Sequence, residues 1–261
     1  MPERGDETEP GPGIETPAVS RDALLGGRVT VLQPVTGYRA AIDPVFLAAA
    51  VSATAGERVL DVGAGVGTAA LCLAARVPGI KVSGIEVQRD LVRLAMRNAD
   101  INGLSGSADF MRGSLLEPPL RLAPGSFHHV MANPPFVEAG RGNQPPDPGK
   151  AAANVEGAAG IGDWLRFCLL MARSKGSVTL IHRADRLDDV LAAMRGHLGE
   201  IVVFPLWPGG GGKPAKRVIV RGRKGLVTPM RLTPGLILHE TDGAFTAAAE
   251  AVLRDAGGLT L

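Results

Sequence analysis

The chain has 261 residues, of which 45% are hydrophobic and 21% charged, and its formal net charge at pH 7 is +2. This composition is that of an ordinary soluble globular protein, long enough to bury a sizeable core without disulfides. No apolar run approaches membrane-spanning length and no signal peptide is recognised, so we expect a cytoplasmic protein.

Residues 1–22 are predicted to form a disordered acidic tail. Within the first twenty residues five carboxylates accompany a single arginine, and prolines and glycines separate them. Such a segment cannot bury enough apolar surface to fold. Residues 23–261 are predicted to form one domain, with an N-terminal extension over 23–55 and a core with a C-terminal addition over 56–261.

The extension contains a weakly alternating stretch, residues 28–33, and then a helix start. Asp43 and Pro44 precede an alanine-rich run, which predicts a helix with Asp43 as its N-cap and Pro44 in its first turn. As a cap, Asp43 would need no further role.

In the core, apolar strand-like runs alternate with helical patterns. Strands are predicted at residues 58–62, 81–87, 108–112, 127–132, 177–182, 200–205 and 216–221, and helices at 66–77, 89–102, 160–174 and 187–198. This alternation is typical of an α/β fold with a mostly parallel sheet and helices on both faces. The last two strands have no helix between them, which predicts an antiparallel pair at the sheet edge.

The stretch VLDVGAGVG, residues 59–67, leads from a buried strand through Gly63, Gly65 and Gly67 into a helix. Glycines there allow a sharp turn and a close approach of the backbone to a ligand. The spacing is not that of a dinucleotide site, where Thr68 would be glycine, nor that of a Walker loop. Asp61 would repel a phosphate but attract an ammonium group, so we expect a cationic or zwitterionic ligand head.

Glu86 ends the next predicted strand, where a carboxylate can accept hydrogen bonds from both hydroxyls of a ribose. The alternative is a solvated residue at a strand end. With the glycine turn and Asp61, Glu86 describes a site for a nucleoside with an amino-acid-like tail, and S-adenosylmethionine fits that description.

These residues resemble the class I S-adenosylmethionine-dependent methyltransferases. The resemblance implies a Rossmann-like, seven-stranded, mostly parallel sheet with an antiparallel edge hairpin. In that family an aspartate after the third strand often binds the adenine amino group, but here MRGSLLEP puts Ser114 in that place. The backbone of Leu115 or Leu116 is the other candidate for that contact.

The stretch MANPPF, residues 131–136, follows the fourth predicted strand of the core. The Asn133 amide oxygen and the Pro134 carbonyl can both accept from one NH2 group and orient its nitrogen lone pair toward a sulfonium methyl. Phe136 can stack on a planar substrate, and no general base is needed. The alternative is a plain proline turn.

The Asn-Pro-Pro-aromatic motif resembles methyltransferases that act on adenine N6, guanine N2 or an amide nitrogen. Residues 33–50 and 214–253 further resemble the bacterial tRNA (adenine-N6)-methyltransferase family that modifies valine tRNA, and the resemblance covers about residues 24–261. That family usually has tyrosine at the position of Phe136. The resemblance implies that Tyr38, Arg39 and Asp43 lie near the cofactor or the site entrance, and that residues 140–150 form a mobile lid.

Basic residues are concentrated late in the chain, where they could contact RNA phosphates or simply protect a solvated edge strand. They are Lys213, Lys216, Arg217, Arg221, Arg223 and Lys224.

Two alternatives to a tRNA methyltransferase remain open. One is a protein-glutamine methyltransferase acting on a release factor, although such enzymes usually carry a helical N-terminal domain. The other is a non-catalytic domain that binds RNA or a partner.

No metal is expected, because the five histidines are scattered without ligand spacing. Cys72 and Cys168 stand far apart in apolar stretches, which indicates a reducing compartment rather than a disulfide framework. Trp164 and Trp207 are interpreted as packing residues rather than base-stacking ones.

Overall fold

The structure, a computed structural model, describes residues 18–36, 41–136, 159–210 and 212–261. Within these ranges the chain forms an antiparallel hairpin of β1 (Val19–Leu24) and β2 (Val29–Pro34) and a nine-stranded mixed sheet. None of the helices in these ranges combines the length and the apolar character that crossing a bilayer requires.

The large sheet has the spatial order β10-β8-β9-β7-β6-β3-β4-β5, with β11 also pairing with β8. Its strands are β3 (Arg58–Val62), β4 (Lys81–Glu86), β5 (Ala108–Arg112), β6 (Phe127–Ala132), β7 (Ala172–Arg183), β8 (Leu198–Trp207), β9 (Arg217–Lys224), β10 (Arg231–Leu232) and β11 (Leu236–Ile237). All pairs are parallel except those that β9 makes with β7 and β8. The mostly parallel sheet is therefore confirmed.

Helices cover both faces of this sheet, as expected. They are α1 (Asp43–Ala50), α2 (Thr68–Arg76), α3 (Arg89–Ile101), α4 (Ile161–Met171), α5 (Leu187–Met194) and α6 (Ala247–Leu253). One buried cluster joins α1, α2, α3 and α6 to one face, and a second joins α4 and α5 to the other. Successive strand residues alternate between the clusters, with Val59 in the first and Leu60 in the second, because strand side chains point alternately to opposite faces.

The predicted antiparallel pairing of the last two core strands is present between β8 and β9, but the expectation of seven strands with this pair at the sheet edge differs from the structure in two respects. β9 is inserted between β7 and β8, so the antiparallel strand lies inside the sheet rather than at its edge. The outer side of β8 then pairs with the two-residue strands β10 and β11, which raises the count to nine. These additions satisfy backbone groups that an exposed edge would leave unpaired.

Two expectations for the N-terminal region also need correction. The predicted tail ends inside β1, since Val19–Leu24 is paired with β2; residues 1–17 lie outside the described ranges. Asp43 is not an N-cap, because Ile42 occupies that position and no side chain caps the helix. Pro44 does lie in the first turn. The Asp43 carboxylate instead accepts a hydrogen bond from Arg217 on β9, at 2.7 Å.

The small hairpin is attached to the large domain by two side-chain amides, that of Asn98 on α3 and that of Asn102 directly after this helix. Asn98 is fully buried, and its side chain both accepts from the Leu32 N–H at 2.8 Å and donates to the Leu32 carbonyl at 3.0 Å. Asn102 makes the same pair of bonds to Thr30, at 2.8 and 2.7 Å. The two amides thus satisfy the edge of β2 as a neighbouring strand would.

Candidate active site

A cleft of ≈ 300 Å³ opens at the carboxyl ends of β3, β4 and β6, where ligands bind in open α/β folds. Several of the residues singled out in the sequence line it together: Asp61, Gly63, Gly65, Glu86, Ser114, Leu115, Asn133, Pro134 and Phe136. Gly67 and Asp43 are not part of its lining. Tyr38, Arg39 and residues 140–150 lie outside the described ranges.

The glycines of the turn after β3 serve two different purposes. All three have positive φ, at 70°, 56° and 85° in chain order. A Cβ on Gly63 would come within 2.5 Å of the Trp164 ring, and one on Gly67 within 2.7 Å of Phe110, so both are needed for packing. A Cβ on Gly65 would meet nothing within 4 Å, because that residue faces the open cleft. Trp164 packs as expected and also lines the cleft.

Two hydrogen bonds, one to β4 and one from α3, hold the glycine turn in place. The Ala64 N–H donates to the Ile85 carbonyl of β4 at 2.9 Å. The Asn98 amide, which also binds β2, donates to the Val66 carbonyl at 2.9 Å. Asn98 is not among the residues singled out from the sequence; the available signal was a polar side chain at a core-facing position of a helical pattern.

Asp61 lies at the base of the cleft and is 2% exposed. Burial raises the pKa of its carboxyl to about 7; the nearby charge of Glu86 adds to this effect, and the Ala70 backbone N–H opposes it. Its Oδ2 and the Oγ1 of neighbouring Thr68 have no hydrogen-bond partner among the described residues. Buried polar atoms of this kind favour a ligand donor such as an ammonium group.

Glu86 is held across the turn by backbone donors. Its Oε2 accepts from the Gly65 N–H at 3.0 Å, and its Oε1 accepts from the Gln88 N–H at 2.9 Å. Burial raises the pKa of Glu86 above its usual value, while these N–H groups oppose the shift. Since a carboxylate oxygen can accept more than one hydrogen bond, both remain able to accept hydroxyl donors from the cleft.

The wall beyond Glu86 is mostly apolar. Ile85, Val87, Leu115 and Leu116 line it and suit the faces of a flat ring system. The Ser114 hydroxyl also lines the cleft and already accepts the Leu116 N–H at 3.2 Å.

The opposite wall is the Asn133–Phe136 segment that follows β6. Asn133 is half-buried and Pro134 is buried. The Arg217 guanidinium carbon lies 4.5 Å from the centre of the Phe136 ring, and His182 meets that ring edge-on with centroids 5.4 Å apart. The segment is therefore a wall of the cleft rather than a turn projecting into solvent.

His182 lies behind this wall and is 1% exposed. Burial lowers its pKa, and the Pro135 carbonyl opposes the shift. Neither ring nitrogen makes a hydrogen bond of good geometry within the described part of the chain. The imidazole is therefore neutral near pH 7 and acts as packing for Phe136.

Some residues of the basic cluster bind partners within the protein, and others are exposed without such a partner in the described ranges. Arg223 pairs with Glu200 at 3.2 Å, and the Lys224 ammonium donates to the Leu169 and Ala172 carbonyls at 2.7 and 2.8 Å. Arg221 is half-buried, which lowers its pKa. These cations serve the fold.

Lys213 and Lys216 differ from the rest of the cluster. Both are exposed, and neither side chain has a partner in the described ranges. They lie four residues and one residue before Arg217, which begins β9 and contacts Phe136, so they are at the same edge of the sheet as the cleft. In the described ranges no three histidine, cysteine or carboxylate side chains gather as a metal site would require.

Comparisons with known proteins relate this chain to methyltransferases. Residues 41–144 match the family described as methyltransferase small domain. The chain is 27% identical over 207 residues to a tRNA1(Val) (adenine(37)-N6)-methyltransferase of Aeromonas hydrophila, covering 78% of this chain and 84% of the relative. A relative of the same name from Porphyromonas gingivalis is 26% identical over 200 residues, covering 73% and 75%.

Two further matches give more limited information, one because it covers a short segment and the other because it concerns the fold. A release factor glutamine methyltransferase of Aliivibrio fischeri is 37% identical, but over only 89 residues, which is 34% of this chain and 29% of the relative. The crystal structure of a predicted O-methyltransferase from Agrobacterium tumefaciens superimposes with a TM-score of 0.69 at 24% identity, covering 83% of this chain and 98% of that one. The latter likeness concerns the fold alone.

Proposed function

We propose that this chain, an S-adenosylmethionine-dependent methyltransferase, methylates the exocyclic N6 amine of an adenine in tRNA. The observation that carries the proposal is that Asn133, Pro134 and Phe136 line the same cleft as the glycine turn and Glu86. The likeness to tRNA1(Val) methyltransferases over most of both chains supports it, whereas the glutamine methyltransferase match is confined to a third of this chain.

S-adenosylmethionine, when bound, supplies an electrophilic methyl group on a sulfonium. On the cofactor side, the Asp61 carboxylate would hold the ammonium group, and Gly65 leaves room for the backbone to approach the methionine portion. Glu86 would accept the ribose hydroxyls, and the apolar wall around Leu115 would cover the adenine.

On the acceptor side, the Asn133 amide oxygen and the Pro134 carbonyl would both accept hydrogen bonds from the target NH2. Two acceptors fix the plane of the amine and direct its nitrogen lone pair toward the centre of the cleft. Pro134 has no N–H, so its position presents only an acceptor to the amine. Phe136 would stack on the base.

The test is a nucleoside assay. Purified protein is incubated with labelled S-adenosylmethionine and undermodified bulk tRNA, which is then digested and separated. We expect label in N6-methyladenosine. Label in protein or small molecules but never in N6-methyladenosine would refute the proposal, and label in a release factor would favour the glutamine alternative. A tRNA substrate would place the reaction in the cytoplasm.

A second prediction concerns Lys213 and Lys216, the two exposed lysines at the cleft edge of the sheet. Replacing Lys213 or Lys216 with glutamine is expected to weaken tRNA binding and to reduce the slope of log affinity against log salt by about one each, because each would neutralise one phosphate. Filter binding or fluorescence anisotropy at several salt concentrations measures that slope.

The matched control is Lys175→Gln. Lys175 is also exposed, but it lies near the start of β7, at the opposite edge of the sheet from the cleft. Its replacement should leave the slope unchanged. Equal effects of all three substitutions would mean that RNA senses only the net charge of the protein.

A further inference from the structure

We propose that Arg217 and Asp43 are positioning residues that fix the Phe136 ring, and with it the acceptor wall of the cleft. Arg217 donates from Nε to the Asp43 carboxylate at 2.7 Å, and its guanidinium carbon lies 4.5 Å from the Phe136 ring centre. We refer to Asp43, Arg217 and Phe136 as the ring clamp. Sequence reasoning gave Asp43 a capping role and Arg217 a place in a basic cluster, so neither was linked to Phe136.

The ring clamp joins three parts of the chain that are distant in sequence. Asp43 begins α1, Phe136 follows β6, and Arg217 begins β9. The pair is partly shielded from water, with side-chain exposures of 31% for Arg217 and 13% for Asp43. Partial burial strengthens both the ion pair and the attraction between a guanidinium and an aromatic face.

The ring is held from both sides of the sheet. In the β7–β9 register Arg217 pairs with Arg183 and His182 with Val218, so Arg217 and His182 point to opposite faces. Arg217 reaches the ring from the face covered by α1, and His182 reaches it from the face covered by α4 and α5. A ring contacted in this way has little freedom to turn or to move away from the cleft.

The consequence is a fixed acceptor geometry. Phe136 is two residues from Pro134 and three from Asn133. Because the ring of a proline fixes its φ angle, the backbone between Asn133 and Phe136 has little freedom to rotate. Holding the ring therefore holds the two acceptor oxygens, which matters because small displacements of reacting groups cost large factors in rate. The cofactor side of the cleft is formed by other segments and should be insensitive to the clamp.

A double-mutant cycle tests the clamp; its kinetic arm rests on the proposed function for its substrate. Arg217→Gln is expected to lower kcat roughly tenfold to a hundredfold while the KM for S-adenosylmethionine stays within about twofold. In a Phe136→Leu background the same substitution should cost no more than about twofold, because the ring it acts on is gone. Equal losses in both backgrounds, or a parallel rise in the KM for S-adenosylmethionine, would overturn the proposal.

Arg223→Gln is the matched control. It removes an arginine of the same strand that pairs with Glu200, and it should leave kcat within about twofold. A loss as large as that of Arg217→Gln would show that any break in the charges of β9 reduces the rate, which would also overturn the proposal.

A second measurement needs no acceptor and so separates failure of the clamp from failure of the proposed function. The Nε–H resonance of Arg217 should be visible by nitrogen-15 NMR, since its bond to Asp43 slows exchange with water. Phe136→Leu should shift it by removing the ring current. An Nε–H signal unmoved by Phe136→Leu would refute the clamp, whatever the methylation assay finds.

Discussion

Replacing Asp61 with asparagine is expected to stabilise the ligand-free protein at pH 8 and to abolish binding of S-adenosylmethionine. The carboxylate is buried, and its pKa is raised from 3.8 to about 7. Ionising it in the folded state is therefore unfavourable, by on the order of 1–4 kcal/mol. The neutral amide avoids this cost, but it cannot attract an ammonium group.

The pH dependence follows from the direction of the shift. A carboxyl whose folded pKa is raised binds its proton more tightly in the folded state, so this contribution to stability is complete below pH 3.8 and is lost as the pH rises through about 7. The Tm of the ligand-free protein should then fall between pH 6 and pH 8, with a smaller fall for Asp61→Asn. Affinity for S-adenosylmethionine should change in the opposite sense and rise over the same range.

Thermal denaturation and titration calorimetry at pH 6 and 8 measure the two effects. The control is Asp90→Asn, since Asp90 lies on the exposed side of α3 with a side chain 72% exposed. Its replacement should change neither the pH slope nor the affinity. If the Asp61→Asn protein binds S-adenosylmethionine with an affinity within about threefold of that of the unaltered protein, the proposed contact between Asp61 and the ammonium group is refuted.

The sequence was most informative where local chemistry alone determines the structure. The glycine turn needs positive φ at three positions, and the residues that permit this can be read directly. The β6 strand and its motif were likewise predicted with the observed bounds, Phe127–Ala132. Both features have a sequence signature that lies within a few consecutive residues.

It was least informative where a side chain finds its partner across the fold. Asp43 fits the local pattern of an N-cap, but its partner is Arg217 on β9. Asn98 fits a helical face, but it binds β2 and the glycine turn. The position of β9 between β7 and β8 could not be predicted either, because adjacency in sequence favours a hairpin at the edge.

Replacing Asn133 with alanine is expected to lower kcat by roughly 10²–10⁴ while the Kd for S-adenosylmethionine stays within about threefold. The amide oxygen is one of two proposed acceptors for the target NH2, and without it the amine can rotate out of the required plane. Single-turnover methylation of tRNA measures the rate, and calorimetry measures the affinity.

The substitution Asn133→Asp tests whether the oxygen or the NH2 group of the Asn133 side chain supports the reaction. An aspartate keeps an acceptor oxygen at the same position, so its rate should lie between those of the unaltered protein and of Asn133→Ala. Equal rates for the two variants would mean that the NH2 group of Asn133, rather than its oxygen, supports the reaction.

Asn102→Ala shows what a purely structural amide does. That amide binds the Thr30 backbone on β2, away from the cleft, so its loss should lower the Tm with kcat within about twofold. If Asn133→Ala instead lowers the Tm, the affinity and kcat together, Asn133 acts as Asn102 does and holds the fold. The split between rate and affinity is therefore the decisive result, because a residue that only holds the fold would not lower kcat while leaving the affinity for S-adenosylmethionine unchanged.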